Sequence, residues 1–261
     1  MSLRNLSDFF VAIYLIINGA EWFVLASKKE LLPLLGNNAV LMRLQDRGLA
    51  IRFNRISLRL ARKIGIRSAA ALMFCSGLVL FGMATSSNTS AFVSIVALLS
   101  IVGFNLGFSF GLEGSDQMAT LVLFANAMTA LMPKMQWLTD VFIMAQLILS
   151  YGVAGVAKLV SSDWRSGRAL GMIISTRSMG VGAIPMLIRN PHVSKLICSL
   201  IIGFELAWFA LPLNKPLALG LMACGVLFHF SGAWIMGLNL FPWAFVSAYP
   251  LALSALYRIH S

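Results

Sequence analysis

Lys158, Glu205 and His229 are three side chains that could pass a proton between them, and each lies in or at the end of an apolar stretch. A lysine at the centre of a membrane helix costs roughly 2.5–3.5 kcal/mol on insertion, and less toward the ends, where it can snorkel to the headgroups. Glu205, in CSLIIGFELAWFALP, has about ten apolar neighbours on either side, so it must be neutral, paired or facing water. His229, in ACGVLFHFSGAW, can donate one hydrogen bond and accept another between helices. An acid, a tunable base and a cation in one bundle permit general acid–base chemistry. Each also has a structural reading: Lys158 as an end anchor, Glu205 as a paired or protonated packing carboxylate, His229 as interhelical glue. Asn18 with Glu21, and Glu113 with Asp116, are further polar sites singled out by the same cost.

The elements that must position these groups are membrane helices. Of 261 residues, 59% are hydrophobic and 11% charged, against about a quarter charged in soluble domains. Apolar runs fall at 8–26, 68–84, 91–110, 117–132, 137–159, 195–213, 216–236 and 239–257. They predict an all-α, polytopic integral membrane bundle of about eight transmembrane helices, a single domain over 1–261, with the bilayer as its main partner. The run 117–132 is the weakest, being short and carrying Asn126, and reads as re-entrant or partly buried in protein.

Residues 27–67 hold ten Lys or Arg against Glu30 and Asp46. Within this stretch a basic amphipathic segment, about 38–66, alternates Leu and Ile with Arg at helical spacing and is expected to lie on anionic lipid headgroups at the cytoplasmic face. A second basic stretch, 160–195, holds Arg165, Arg168, Arg177, Arg189 and Lys195 against Asp163. Placing both on one side requires an even number of crossings between them and puts the termini outside. The net charge of +11 is accounted for by these loops, so no nucleic-acid partner is expected. Cys75, Cys198 and Cys224 lack metal or disulfide spacing and read as small buried hydrophobes. No HExxH, CxxC, Walker or GxSxG motif is present, and no metal is expected.

YGVAGVAKLVSSDWRSG, from Tyr151 to Gly167, resembles the Y-x-x-A-G-x-x-K-L-x-x-x-W-x-x-G block of the HTTM (horizontally transferred transmembrane) domain, shared with vitamin K-dependent gamma-carboxylases. FHFSGAWIMGLNLFPW, Phe228 to Trp243, resembles that family's late helix, and Gly114-Ser115-Asp116 and Glu205 with Pro212 are weaker echoes. The resemblance implies a lyase-like enzyme in which Lys158 is the catalytic base that deprotonates a reduced quinone such as vitamin K hydroquinone. Oxygenation then yields a strong base that takes a gamma proton from a glutamate of a peptide substrate. It further implies catalytic roles for His229 and Glu205, substrate contacts from Asp116, Tyr151 and Trp164, and a bacterial inner membrane location. The chain departs from the family where an active-site histidine is expected beside the fourth span, since Gly114-Ser115-Asp116 carries no imidazole. The non-enzymatic alternative is a membrane component for maturation, export or immunity of a secreted peptide.

Overall fold

The computed structural model describes residues 1–27, 51–86, 90–108, 113–175 and 190–261, with the backbone alone over 51–64 and 106–108. Among them the chain is all-helical, with ten α-helices. Each of the eight apolar runs contains a helix among the described residues. The chain is a helical membrane protein: five stretches, Leu3–Leu25, Gly65–Thr85, Pro133–Val160, Pro191–Leu213 and Lys215–Met236, are long and apolar enough to cross a bilayer. The fold separates into two compact units, Met1–Gln136 and Trp137–Ser261.

In the first unit, α1 (Leu3–Leu25) starts at Ser2, whose hydroxyl accepts from the Asn5 N–H at 3.1 Å. The second helix, α2 (Ile51–Thr85), breaks at Gly65, where φ is 71°, a backbone that only glycine adopts without strain. Of the basic amphipathic segment, residues 38–50 lie outside the described residues, and from Ile51 the backbone is helical up to this elbow. Small residues let α1 and α2 approach closely: a Cβ on Gly19 would stand 2.7 Å from the Phe74 nitrogen, and one on Gly77 2.9 Å from the Leu15 side chain.

Next come α3 (Ala91–Phe108) and α4 (Gly114–Leu131). Ser76 of α2 and Ser100 of α3 share a buried hydrogen bond of 3.0 Å. We expect Ser76→Ala to lower stability by about 0.6 kcal/mol, the mean for such bonds between membrane helices, read as a small fall in the detergent unfolding midpoint.

The weak run is α4, and its Asn126 is buried against α1. Asn126 accepts from Arg4 Nη1 at 2.8 Å and donates to Asp8 Oδ1 at 2.8 Å and Ser7 Oγ at 3.2 Å. At the other end of α4, Asp116 accepts from the Tyr14 hydroxyl, which accepts from Asn18 at 2.9 Å. A polar stripe on α1 thus meets the two ends of an antiparallel α4, which explains why a run with low hydropathy still forms a buried helix.

The second unit is built from α5 (Gln136–Val160), the short α6 (Ser162–Ser166) and α7 (Arg168–Ile174), then α8 (Pro191–Ala207), α9 (Lys215–Met236) and α10 (Phe241–Ile259). Asn190 and Asn214 cap α8 and α9, each followed by proline in the first turn, and α9 stops at Gly237 with φ 70°. A 3₁₀ turn, Trp208–Leu213, containing Pro212, extends α8. Buried stripes run at three- and four-residue spacing: Ile143, Leu147, Tyr151 and Gly155 on α5; Ser194, Cys198, Ile202 and Glu205 on α8; Ala218, Met222, Gly225 and His229 on α9. Opposite faces expose Leu149, Val153, Leu200 and Leu227, as a helix facing lipid would.

Candidate functional site

Five of the residues proposed from sequence lie on the buried stripes of the second unit, as Tyr151, Glu205 and His229 do, or beside them, as Lys158 and Trp164 do. Antiparallel packing brings α5 onto α8, with glycines at the crossing. A Cβ on Gly152 would stand 2.4 Å from the Phe209 ring, and one on Gly155 would stand 3.0 Å from the Glu205 Cβ. Glu205 therefore sits level with Gly155, about one turn below Lys158. A helical side chain leans toward its own N-terminus, so the lysine reaches back along α5 to the carboxylate.

Lys158 Nζ donates to both Glu205 oxygens, at 2.8 Å each. The lysine side chain is 21% exposed and that of Glu205 4%. The amine also lies 5.1 Å from the centroid of the Trp164 ring, a cation–π contact worth about 0.5–2 kcal/mol. This arrangement replaces the end-anchor reading of Lys158: its charge turns inward. It also resolves the cost that singled out Glu205, which is paired in the core of the unit.

His229 is held in a second cluster. Its Nε2 is 2.6 Å from the Tyr151 hydroxyl, which is 2.6 Å from the Tyr249 hydroxyl. If Nε2 accepts, both hydroxyls donate toward the histidine; if Nε2 carries the proton, the chain runs the other way. Three groups from α5, α9 and α10 thus form one hydrogen-bonded line that can carry protons in either direction. Tyr151 stacks on Trp208 at 4.0 Å with 9° between the planes, and Phe245 stacks on His229 at 4.4 Å. Trp208 is fully buried, and its indole N–H has no hydrogen-bond partner among the described residues.

Tyr151 and Lys158 are two turns apart on α5, so the hydroxyl line and the ion pair occupy one seam. Asp116 belongs to the first unit, where it is bound by Tyr14 and closes a capping box with Glu113 at the start of α4. Tyr249, Trp208 and Ser194 were not marked by sequence. Tyr249 and Trp208 stand in aromatic-rich apolar runs with no local motif, and Ser194 matters only through the turn it meets. No family profile, curated protein or solved structure matches this chain.

Proposed function

We propose that this chain is an HTTM-type membrane protein of eight crossings in a bacterial cell membrane, carrying out proton-transfer chemistry at the Lys158–Glu205 pair. The observation that supports this most is the bidentate contact of Nζ with Glu205 at 2.8 Å beside a buried tyrosine–histidine line. An ammonium–carboxylate pair can pass its proton internally and become an amine beside a carboxylic acid. In that form Nζ is a general base and Glu205 a general acid within hydrogen-bond reach. His229, Tyr151 and Tyr249 give a second route along which a proton moves within the seam.

One feature fits a reduced quinone of the kind the family resemblance implies: the buried, unpartnered Trp208 N–H is a donor that a quinone oxygen would take. The rings of Tyr151 and Trp208, and of His229 and Phe245, already stack on each other, so a quinone ring would have to displace one of them. When bound, the quinol would supply, once oxygenated, the strong base for carbon–hydrogen cleavage. The protein's own part is to hold the proton at Nζ, orient the ring and keep water away. A peptide bearing glutamate is the substrate this reading favours.

The alternative is a non-catalytic membrane component for the maturation, export or immunity of a secreted peptide. The satisfied ion pair favours it, because a bridge of two saturated charges also serves as a fixed link between α5 and α8. Arginine at position 158 separates the two readings. Lys158→Arg can keep a bidentate pair with Glu205 but cannot act as a base.

The test is quinol consumption, followed by chromatography, by the protein in lipid nanodiscs with reduced naphthoquinone, oxygen, bicarbonate and a glutamate peptide. We expect turnover that falls by about 10²–10⁴-fold in both Lys158→Ala and Lys158→Arg. Retained turnover in Lys158→Arg, or none in the natural protein, would overturn the enzymatic reading.

A further inference from the structure

The chain after α5 does not leave the seam. It turns back over it, and three features fasten it there. At Gly167, φ is 83°, and a Cβ would stand 2.6 Å from both the N and Cα atoms of Lys195, so only glycine allows the turn to rest on the α8 backbone. The Gly167 carbonyl accepts from the buried Ser194 hydroxyl at 2.5 Å. Asp163 accepts from Arg168 Nε at 3.0 Å and Nη2 at 2.8 Å, tying α6 to α7, while Ala169 and Ile174 of α7 are buried.

The segment so fastened carries Trp164 over the Lys158 amine and exposes Arg165 and Arg168. Its charges therefore face outward and its indole covers the ion pair. The flanks of the pair are different in kind. Around it α5 exposes Val153, Val156 and Leu159, and α8 exposes Leu196 and Leu200, surfaces that suit acyl chains and not water.

We propose that the α6–α7 segment is a fixed cap that closes the Lys158–Glu205 pair to the aqueous side, so that the pair is reached from the lipid and takes a membrane-dissolved, lipophilic molecule. Trp164, Gly167 and Ser194 are then positioning residues, which act on substrate access through Lys158. The substrate clause rests on the proton-transfer reading above; the cap itself does not.

Carbodiimides of different solubility test access directly. The Glu205 carboxyl adds across the reagent's C=N bond, its proton going to nitrogen. Lys158 Nζ then attacks the Glu205 Cδ, the Cδ–O bond breaks, and the reagent leaves as a urea. The product is an amide between the two side chains, lighter by one water and visible by peptide mass spectrometry.

In vesicles containing the full chain we expect dicyclohexylcarbodiimide to form this link and a water-soluble carbodiimide to leave it at background. The water-soluble yield is expected to rise several-fold in Trp164→Ala, Gly167→Ala and the milder Ser194→Ala. A link formed as readily by the water-soluble reagent in the natural protein, no link with the lipid-soluble one, or no change in Trp164→Ala and Ser194→Ala would overturn the cap. Loss of quinol turnover alone, with the labelling pattern intact, removes the enzymatic reading and leaves the cap standing.

Discussion

Glu205→Ala is expected to destabilise the second unit by about 3–5 kcal/mol, the cost of leaving one member of a buried ion pair uncompensated. Lys158 would lose both of its carboxylate contacts at once, and its amine, turned inward under Trp164, would have only the indole face. The double replacement Lys158→Met with Glu205→Leu is expected to recover most of that loss, because two apolar side chains of similar volume carry no desolvation penalty. Thermal unfolding of the purified protein in detergent, compared across the single and double variants, decides the matter. A single variant as stable as the double would mean that the pair contributes nothing to the fold. The same series separates fold from chemistry: the double variant should be stable and without any proton-transfer activity.

Gly225→Ala is expected to be the most disruptive single methyl in α9. The added carbon would stand 2.3 Å from the Tyr249 hydroxyl oxygen, 3.1 Å from its Cζ and 3.3 Å from the Trp208 ring. Overpacking of this kind costs about 1–3 kcal/mol, and here it also displaces the Tyr249 hydroxyl from Tyr151, breaking the line that ends on His229. Because the closest clash is with one oxygen atom, Tyr249→Phe in the same chain should relieve most of it. The measurement is again the unfolding midpoint, with near-ultraviolet circular dichroism as a report on the stacked rings. If Gly225→Ala with Tyr249→Phe is no more stable than Gly225→Ala alone, the contacts with the Tyr249 and Trp208 rings, and not the hydroxyl, set the cost.

Much of the helical layout was legible because charge, proline, asparagine and glycine punctuate the runs. Asn190, Asn214 and Gly237 mark helix ends in the sequence and in the structure alike, and the run weakened by Asn126 is a helix in which that amide is satisfied by Arg4, Ser7 and Asp8. Hydropathy alone carries five stretches as spans; the polar stripes that lower it in α4 are invisible as partners until the helices are placed side by side.

The site was legible in part and for a physical reason. An ionisable residue in an apolar run announces its cost, so Lys158, Glu205 and His229 could each be found alone. What neutralises the cost is a contact across 47 or 78 positions of sequence, which no local spacing encodes. Tyr249 and Trp208 carry no such cost, since an aromatic residue in a membrane helix is ordinary packing, and only the geometry of the hydroxyl line separates them from their neighbours. The snorkelling lysine is instructive in the same way: position near a helix end permits a route to the headgroups, but the lean of helical side chains toward the N-terminus and the glycine at 155 favour the inward route.

The separation of Lys158 from Glu205 along the chain also has a meaning in time. The helix bearing the amine is made first, and the carboxylate that neutralises it follows 47 residues later. At about 5–20 residues per second of synthesis, the nascent helix α5 spends roughly 2–10 s with an orphan cation before its partner exists. During that interval the charge has the indole of Trp164, only six residues on, as its earliest companion, and the arrival of α8 supplies the carboxylate that completes the pair.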